Sequence, residues 1–314
     1  MSWLMWRQHR SEALVVGAVL ALFAILLTIS GREMANVFQQ LGVGACLVHR
    51  DGPNCSVVIE TFQQQFTPII NAVTFLNTVP VFLAMLIGAP LIARELEHGT
   101  YCLVWTQSIT RSRWVVIKLV LILGAAILIA MALAGLLAWW FGPLHQFGGF
   151  YFPLTFDLEG TVPVTYMAFA LSLAVAVGAL VRRTVPAMAL TVGAFLAVRL
   201  PVEFWLRPHY LPPLIVVQDL ALTSSRVKQA DWVLDRTWVD PLGHPVSVNN
   251  VASSCQRSGN AFLQCTHAHG WLLATTYQPA DRLLLFARIE TAIFLALAVA
   301  LVALAIWWVR RRLA

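Results

Sequence analysis

Cys265-Thr266-His267-Ala268-His269 crowds one thiol and two imidazoles into a single short stretch, the spacing of a metal site. A structural zinc needs four thiolate or imidazole donors. Cys255 lies close upstream, and a cysteine with such a neighbour pairs more economically as a disulfide, which leaves two histidines and too few donors. No metal is therefore expected, with Cys255 and Cys265 as one bridge and Cys46 and Cys55 as another; pairing between the two loops stays open at this level. The sequence holds no H-E-x-x-H, G-x-S-x-G or C-x-x-C, so no catalytic residue is assigned and an enzyme is disfavoured. It also holds no G-x-x-x-x-G-K-[ST], so the chain supplies no Walker A loop and no cofactor site of its own. What remains is a polar cluster between two apolar runs, Arg94-Glu95-Leu96-Glu97-His98-Gly99-Thr100.

The elements that must position these groups follow from composition. Of 314 residues, 59% are hydrophobic and 11% charged, with a mean hydropathy of +0.74. Soluble domains carry about 25% charged residues. The deficit leaves too little polar surface for a soluble fold, and the class is an all-α polytopic membrane protein. The net charge of +6 sits beside apolar runs and reads as membrane topology, with no role in binding nucleic acid.

Six runs are long and apolar enough to cross a bilayer. They are Ala13 to Ile29, Ile69 to Ala93 with Pro80 and Pro90 inside it, Val115 to Phe141, Val164 to Val181, Val185 to Trp205, and Phe286 to Val309. The first run, about 26 Å as a helix, just spans the hydrocarbon. It follows a basic start, as a signal peptide would, but no A-x-A site comes after it, so it is read as a retained anchor. Residues 1–12, with Trp3, Trp6, Arg7 and Arg10, suit an interfacial helix. Trp139-Trp140 and Trp307-Trp308 close two spans as aromatic belts.

Six spans put both termini on one side. Arg7, Arg10, Arg94, Arg111, Arg113, Arg182, Arg183 and Arg310 to Arg312 all fall there, whereas the loop from Gly142 to Pro163 carries only Asp157 and Glu159. By the positive-inside rule both termini are cytoplasmic. Four cysteines then lie on the oxidising side and Cys102 on the reducing side, which agrees. The largest loop, residues 206–285 between the fifth and sixth spans, is extracytoplasmic and should form a small cap. Its run from Leu211 to Val217 suits a re-entrant piece but is too short to cross. The sixth span and basic tail fill 286–314.

Charges inside spans are costly and therefore candidates for function. Arg199 and Glu203, four apart on the fifth helix, share a face and are expected to form a membrane ion pair. Arg288 and Glu290 make a second cluster at the start of the sixth. A structural lock is favoured for both over a substrate contact. Ala170, Ala174 and Gly178, with Ala187 and Ala194, form stripes of small residues suited to close helix packing.

The polar segment 94–114 is then cytoplasmic. A helix leaving the membrane carries Arg94, Glu97 and His98 into the headgroup zone, and Gly99 ends it as a C-terminal cap. Tyr101, Val104, Trp105 and Ser108 fall on one face of a two-turn helix, too short to stand alone in water, so it needs a groove. An interfacial loop without a partner is the plain alternative. Docking on a partner, through Arg94, Glu95, Glu97, Gly99, Thr100, Tyr101, Val104 and Trp105, is preferred.

At these residues the chain resembles the integral membrane subunits of type-two ABC exporters, which carry R/K-E-x-E-x-G-T after the second span, then a polar stretch and a basic pair. Here these are Arg94 to Thr100, Trp105-Thr106-Gln107-Ser108, and Arg111 with Arg113. The form is most similar to actinobacterial permeases, and the end of the chain, Tyr277 to Glu290, resembles them as well. The resemblance implies a coupling helix that docks on a separate ABC-type ATPase subunit, where the ATP is bound. It also implies an interfacial connecting helix near Trp3 to Arg10, a second permease subunit sharing the translocation path, and a bacterial cell-membrane location. The long last loop with its cysteines departs from the compact hairpin of many relatives. The expected function is export of an amphipathic or lipid-like substrate; the alternative is a membrane-anchored sensor or assembly factor whose outer loop binds a ligand.

Overall fold

The computed structural model describes residues 2–48, 54–99, 111–147, 155–222, 226–228, 231–255 and 259–312. Among them, six helices are long and apolar enough to cross a membrane: Gly17–Gln40, Cys55–Glu97, Arg113–Trp140, Val162–Val181, Thr184–His209 and Ala280–Arg311. The chain divides into two compact units, residues 1–146, 154–192 and 294–314 in the first, and 147–153 with 193–293 in the second.

In the first unit, α1 (Ser2–Gln40) is a single helix, so the segment expected to lie in the interface runs without a break into the first span. α2 (Val43–Val48) follows, and α3 (Cys55–Thr74) opens the second span, much earlier than its apolar run suggested. Cys46 and Cys55 are bridged, with Cα atoms 5.2 Å apart. The second span then changes pitch twice. A 3₁₀ turn at Phe75–Thr78 leads into α4 (Val79–Leu83), and a π turn at Ala84–Gly88 leads into α5 (Ala89–Glu97). Pro80 and Pro90 sit in the first turn of α4 and α5, where a missing N–H leaves no bond unmade. Both prolines thus mark restarts of the helix.

The third span is α6 (Arg111–Trp140), followed by the short α7 (Gly142–His145). Trp140, expected in an interfacial belt, is fully buried and donates from Nε1 to Ser30 Oγ at 3.1 Å. Gly31 lies beneath the two indoles, where a Cβ would come within 2.7 Å of the Trp140 ring. Of this pair, Trp139 is the exposed one.

α8 (Val162–Val181) is the centre of this unit. Of its apolar window 78% is buried, against 17–39% for the three spans before it. Its stripe of small residues does what small residues do in lipid, letting backbones approach. A Cβ on Gly88 would lie 2.8 Å from Ala174 Cβ, and one on Gly178 would lie 2.7 Å from Ala89 O. On the opposite side Tyr166 and Phe169 meet Phe294 edge-to-face at 4.8 and 5.2 Å. α9 (Thr184–Pro201) follows after only Arg182 and Arg183.

The second unit corrects the all-α expectation. It holds a four-stranded antiparallel sheet of order β1-β4-β2-β3, made of β1 (Leu214–Gln218), β2 (Trp232–Val239), β3 (Pro245–Val246) and β4 (Leu272–Gln278). The run that suited a re-entrant piece instead becomes a strand from Leu214 onward, paired from Leu214 opposite Tyr277 to Gln218 opposite Leu273. Between β2 and β3 the Asp240 carboxylate accepts from the N–H of Leu242 and His244, and Gly243 takes φ +87°, closing a tight turn. α10 (Val248–Ser254) and α11 (Gly259–Ala268) are joined by the Cys255–Cys265 bridge, with Cα atoms 5.6 Å apart. The unit also takes in the last turns of α9 and the first turns of α12 (Leu283–Arg312).

Candidate functional site

The end of α5 carries the acidic motif. Arg94, Glu97, His98 and Gly99 are exposed, while Glu95 and Leu96 are half-buried. The helix stops at Glu97 and Gly99 takes φ +68°, the left-handed conformation a glycine adopts at least cost just past a helix end. Below it lies a packed core of Leu91, Ile92, Trp114, Val115, Val175 and Ala179. Thr100, Tyr101, Val104 and Trp105, expected on the docking face, lie outside the described residues.

Glu95 and Glu97 are two positions apart, so on a helix they point about 200° apart. Each meets a different neighbour. Glu95 forms an ion pair with Lys118 of α6. Lys118, whose place at the start of a long apolar run would suit a membrane boundary, is instead buried. Its ammonium also lies 3.4 Å from Leu91 O and 4.6 Å from the centre of the Trp114 ring. A lysine so placed exchanges water for a carboxylate, a carbonyl and an indole face.

Glu97 turns the other way. Its Oε2 accepts from the Thr184 N–H at 2.9 Å and from Thr184 Oγ1 at 2.7 Å. Arg183 is the N-cap of α9, since its carbonyl accepts the first helical bond from Ala187. An arginine has no acceptor with which to cap its own helix. The carboxylate comes from the second span instead, and it also meets the positive end of the α9 dipole. Arg182 ends α8 at φ +59°, an uncommon conformation for a side-chain-bearing residue, and this makes the reversal possible in two residues. An open cleft of about 600 Å³ lies beside this turn, lined by Leu96, Glu97, Arg182, Arg183, Val185 and Pro186.

In the second unit the expected Arg199–Glu203 pair is present at 3.7 Å. The stronger pair joins Glu290 to Arg207, a residue the sequence did not single out. Glu290, fully buried, accepts from Arg207 Nε at 2.9 Å and Nη2 at 2.8 Å, a bidentate pair. Arg199 reaches the same carboxylate at 3.5 Å and the Tyr210 hydroxyl donates to it at 3.3 Å. Burial, with this carboxylate close by, pushes the Tyr210 phenol up from its ordinary value. Arg288 is exposed and does not share the face of Glu290, because residues two apart on a helix diverge. Arg207 follows an apolar run and reads as a boundary residue. Only its proximity to Glu290, across 83 positions, shows its role.

Cys255, Cys265 and His269 bring three ligand atoms within 4.8 Å of one another. The two sulfurs are bonded to each other, so neither is a thiolate, and the donor set shrinks to one imidazole. His267 pairs elsewhere, with the Asp219 carboxylate; that hydrogen bond, with the Ala221 N–H, holds the carboxyl below its ordinary range.

Neither the curated proteins nor the solved structures hold a significant match to this chain. The family profile described as ABC-2 membrane transporter related matches residues 17–207, well over half of the chain. The match runs through the first five apolar helices and contains the acidic motif. Together with six membrane-length helices, it makes this chain a member of the ABC-2 membrane-transporter-related family.

Proposed function

We propose that this chain is the permease subunit of an ABC exporter, driven by ATP hydrolysis on a separate ATPase chain. The observation that carries the reading is the family match over residues 17–207, which contains the acidic motif at the end of the second span. Residues 94–114 form the docking segment: Tyr101, Val104 and Trp105 make its contact face for the ATPase, and Arg94, Glu95, Glu97, Gly99 and Thr100 lead into that face from the second span. Both termini are cytoplasmic, the unit holding the sheet is extracytoplasmic, and the protein resides in a bacterial cell membrane. A second permease subunit completes the translocation path. An apolar path between helices suits an amphipathic or lipid-like substrate, and closure of the ATPase alternates access to it.

Affinity purification of the full chain in mild detergent tests this. A Walker-motif ATPase should copurify, and deletion of residues 100–108 should remove it. A purified chain that moves substrate across a vesicle without any ATPase overturns the reading. If loss of the Cys255–Cys265 loop abolished a signalling output while ATPase binding was irrelevant, the outer domain would be a sensor instead.

A further inference from the structure

We propose that Glu97 is a positioning residue: it ties the docking segment to the fifth span by capping that helix from outside, while Glu95 holds the same segment to the third. The inference rests on the permease reading above. It starts from the spacing of the motif. Two carboxylates separated by one residue project to nearly opposite sides of α5, and the chain has a donor for each: Lys118 on α6 and Thr184 on α9. Two glutamates serving only as surface contacts for a partner would have no reason to meet two different spans of their own chain.

The capping geometry gives the link its direction. The acceptor that the N-terminus of α9 needs is usually built into the helix's own N-cap residue. Here Arg183 occupies that place and Glu97 supplies the oxygen from a helix that ends two residues before Gly99. Any displacement of the end of α5, at His98 and Gly99, therefore pulls on Glu97 and, through Thr184, on the start of α9. The core beneath, Leu91, Ile92, Trp114 and Ala179, makes the end of α5 stiff, so the pull is transmitted as a movement of packed helices. The Arg182–Arg183 turn is the short connection that must absorb it. Glu97 acts on the transport cycle through α9 and need not touch the ATPase.

The test uses the complete permease with the ATPase that copurifies with it, reconstituted in lipid vesicles, and reads two quantities: the amount of ATPase retained and the rate of ATP hydrolysis. Glu97→Ala should keep the ATPase and lose about tenfold in the hydrolysis that the permease stimulates. Glu97→Gln keeps a carbonyl oxygen for both Thr184 donors and should restore most of it. Thr184→Pro removes both donors at a position where proline suits a helix start, so it should match Glu97→Ala, with the double variant no worse than either. If Glu97→Ala and Glu97→Gln both shed the ATPase equally, the carboxylate is a charged contact for the partner and the proposal fails. It fails too if Glu97→Ala hydrolyses ATP as the parent does. Should the parent itself retain no ATPase, the permease reading is at fault, and hydrogen exchange in nanodiscs still judges the link. Glu97→Ala should then speed exchange in residues 182–190, and unchanged exchange there overturns it.

Discussion

Lys118 shows why a charged residue near a span end cannot be assigned from its position alone. The same lysine can reach phosphate or turn inward to a carboxylate. Here Glu95 lies one helix away and decides the outcome. Removing one partner of a buried pair strands the other charge, whereas removing both removes the problem. Lys118→Met is therefore expected to destabilise the chain by about 2 kcal/mol, with Glu95→Gln recovering part of the loss in the double variant. Thermal unfolding in detergent checks this, and additive losses would refute the coupling. His145 gives a pH-dependent counterpart outside the spans. Its hydrogen bond to Glu159, at 2.9 Å, raises the imidazole above 6.5, against the smaller opposing effect of burial. The pair's contribution is therefore complete below that unfolded value and is lost as pH rises through the folded one. The unfolding midpoint should therefore fall as pH rises above the ordinary imidazole value, and Glu159→Gln should abolish that slope.

At the scale of elements, the second span and α8 depend on close backbone approach. Gly178→Val should force them apart, because its Cβ would lie 2.7 Å from a backbone oxygen that cannot rotate away. A loss of about 3 kcal/mol is expected, read as a lower unfolding midpoint; an unchanged midpoint would show that the helices slide freely. The start of α12 and the end of α9 are held by Glu290. Glu290→Ala leaves Arg207 buried without its bidentate partner, and a cost of about 4 kcal/mol is expected. Glu290→Gln, which still accepts hydrogen bonds, should cost less. The helices themselves were legible, since apolar runs of this length have few soluble alternatives. The sheet was not read out, although Trp232-Val233-Leu234 and Thr237-Trp238-Val239 carry the aromatic and β-branched residues of strands. Strand pairing joins β1 to β4 across more than fifty positions, and no local pattern specifies that partner.

For the whole molecule, the two bridges fall within units and close short loops, so each should stabilise its own unit by about 2–3 kcal/mol. Replacing Cys255 and Cys265 by serine should raise protease sensitivity within residues 193–293 and leave the helical unit resistant. Equal sensitivity of both units would contradict that independence. By itself the sequence determined six helices of membrane length, the absence of a Walker A loop, and a motif similar to type-two ABC permeases; it favoured local pairing of Cys46 with Cys55 and Cys255 with Cys265 without deciding it. Each of these rests on composition or on neighbours in the chain. Only the tertiary structure decided which way the charges point. It turned Glu95 to Lys118, Glu97 to the start of α9, and Arg207 to Glu290. In a medium where an unpaired charge is costly, partners are chosen by proximity of helices in space, which neighbours in the chain do not reveal.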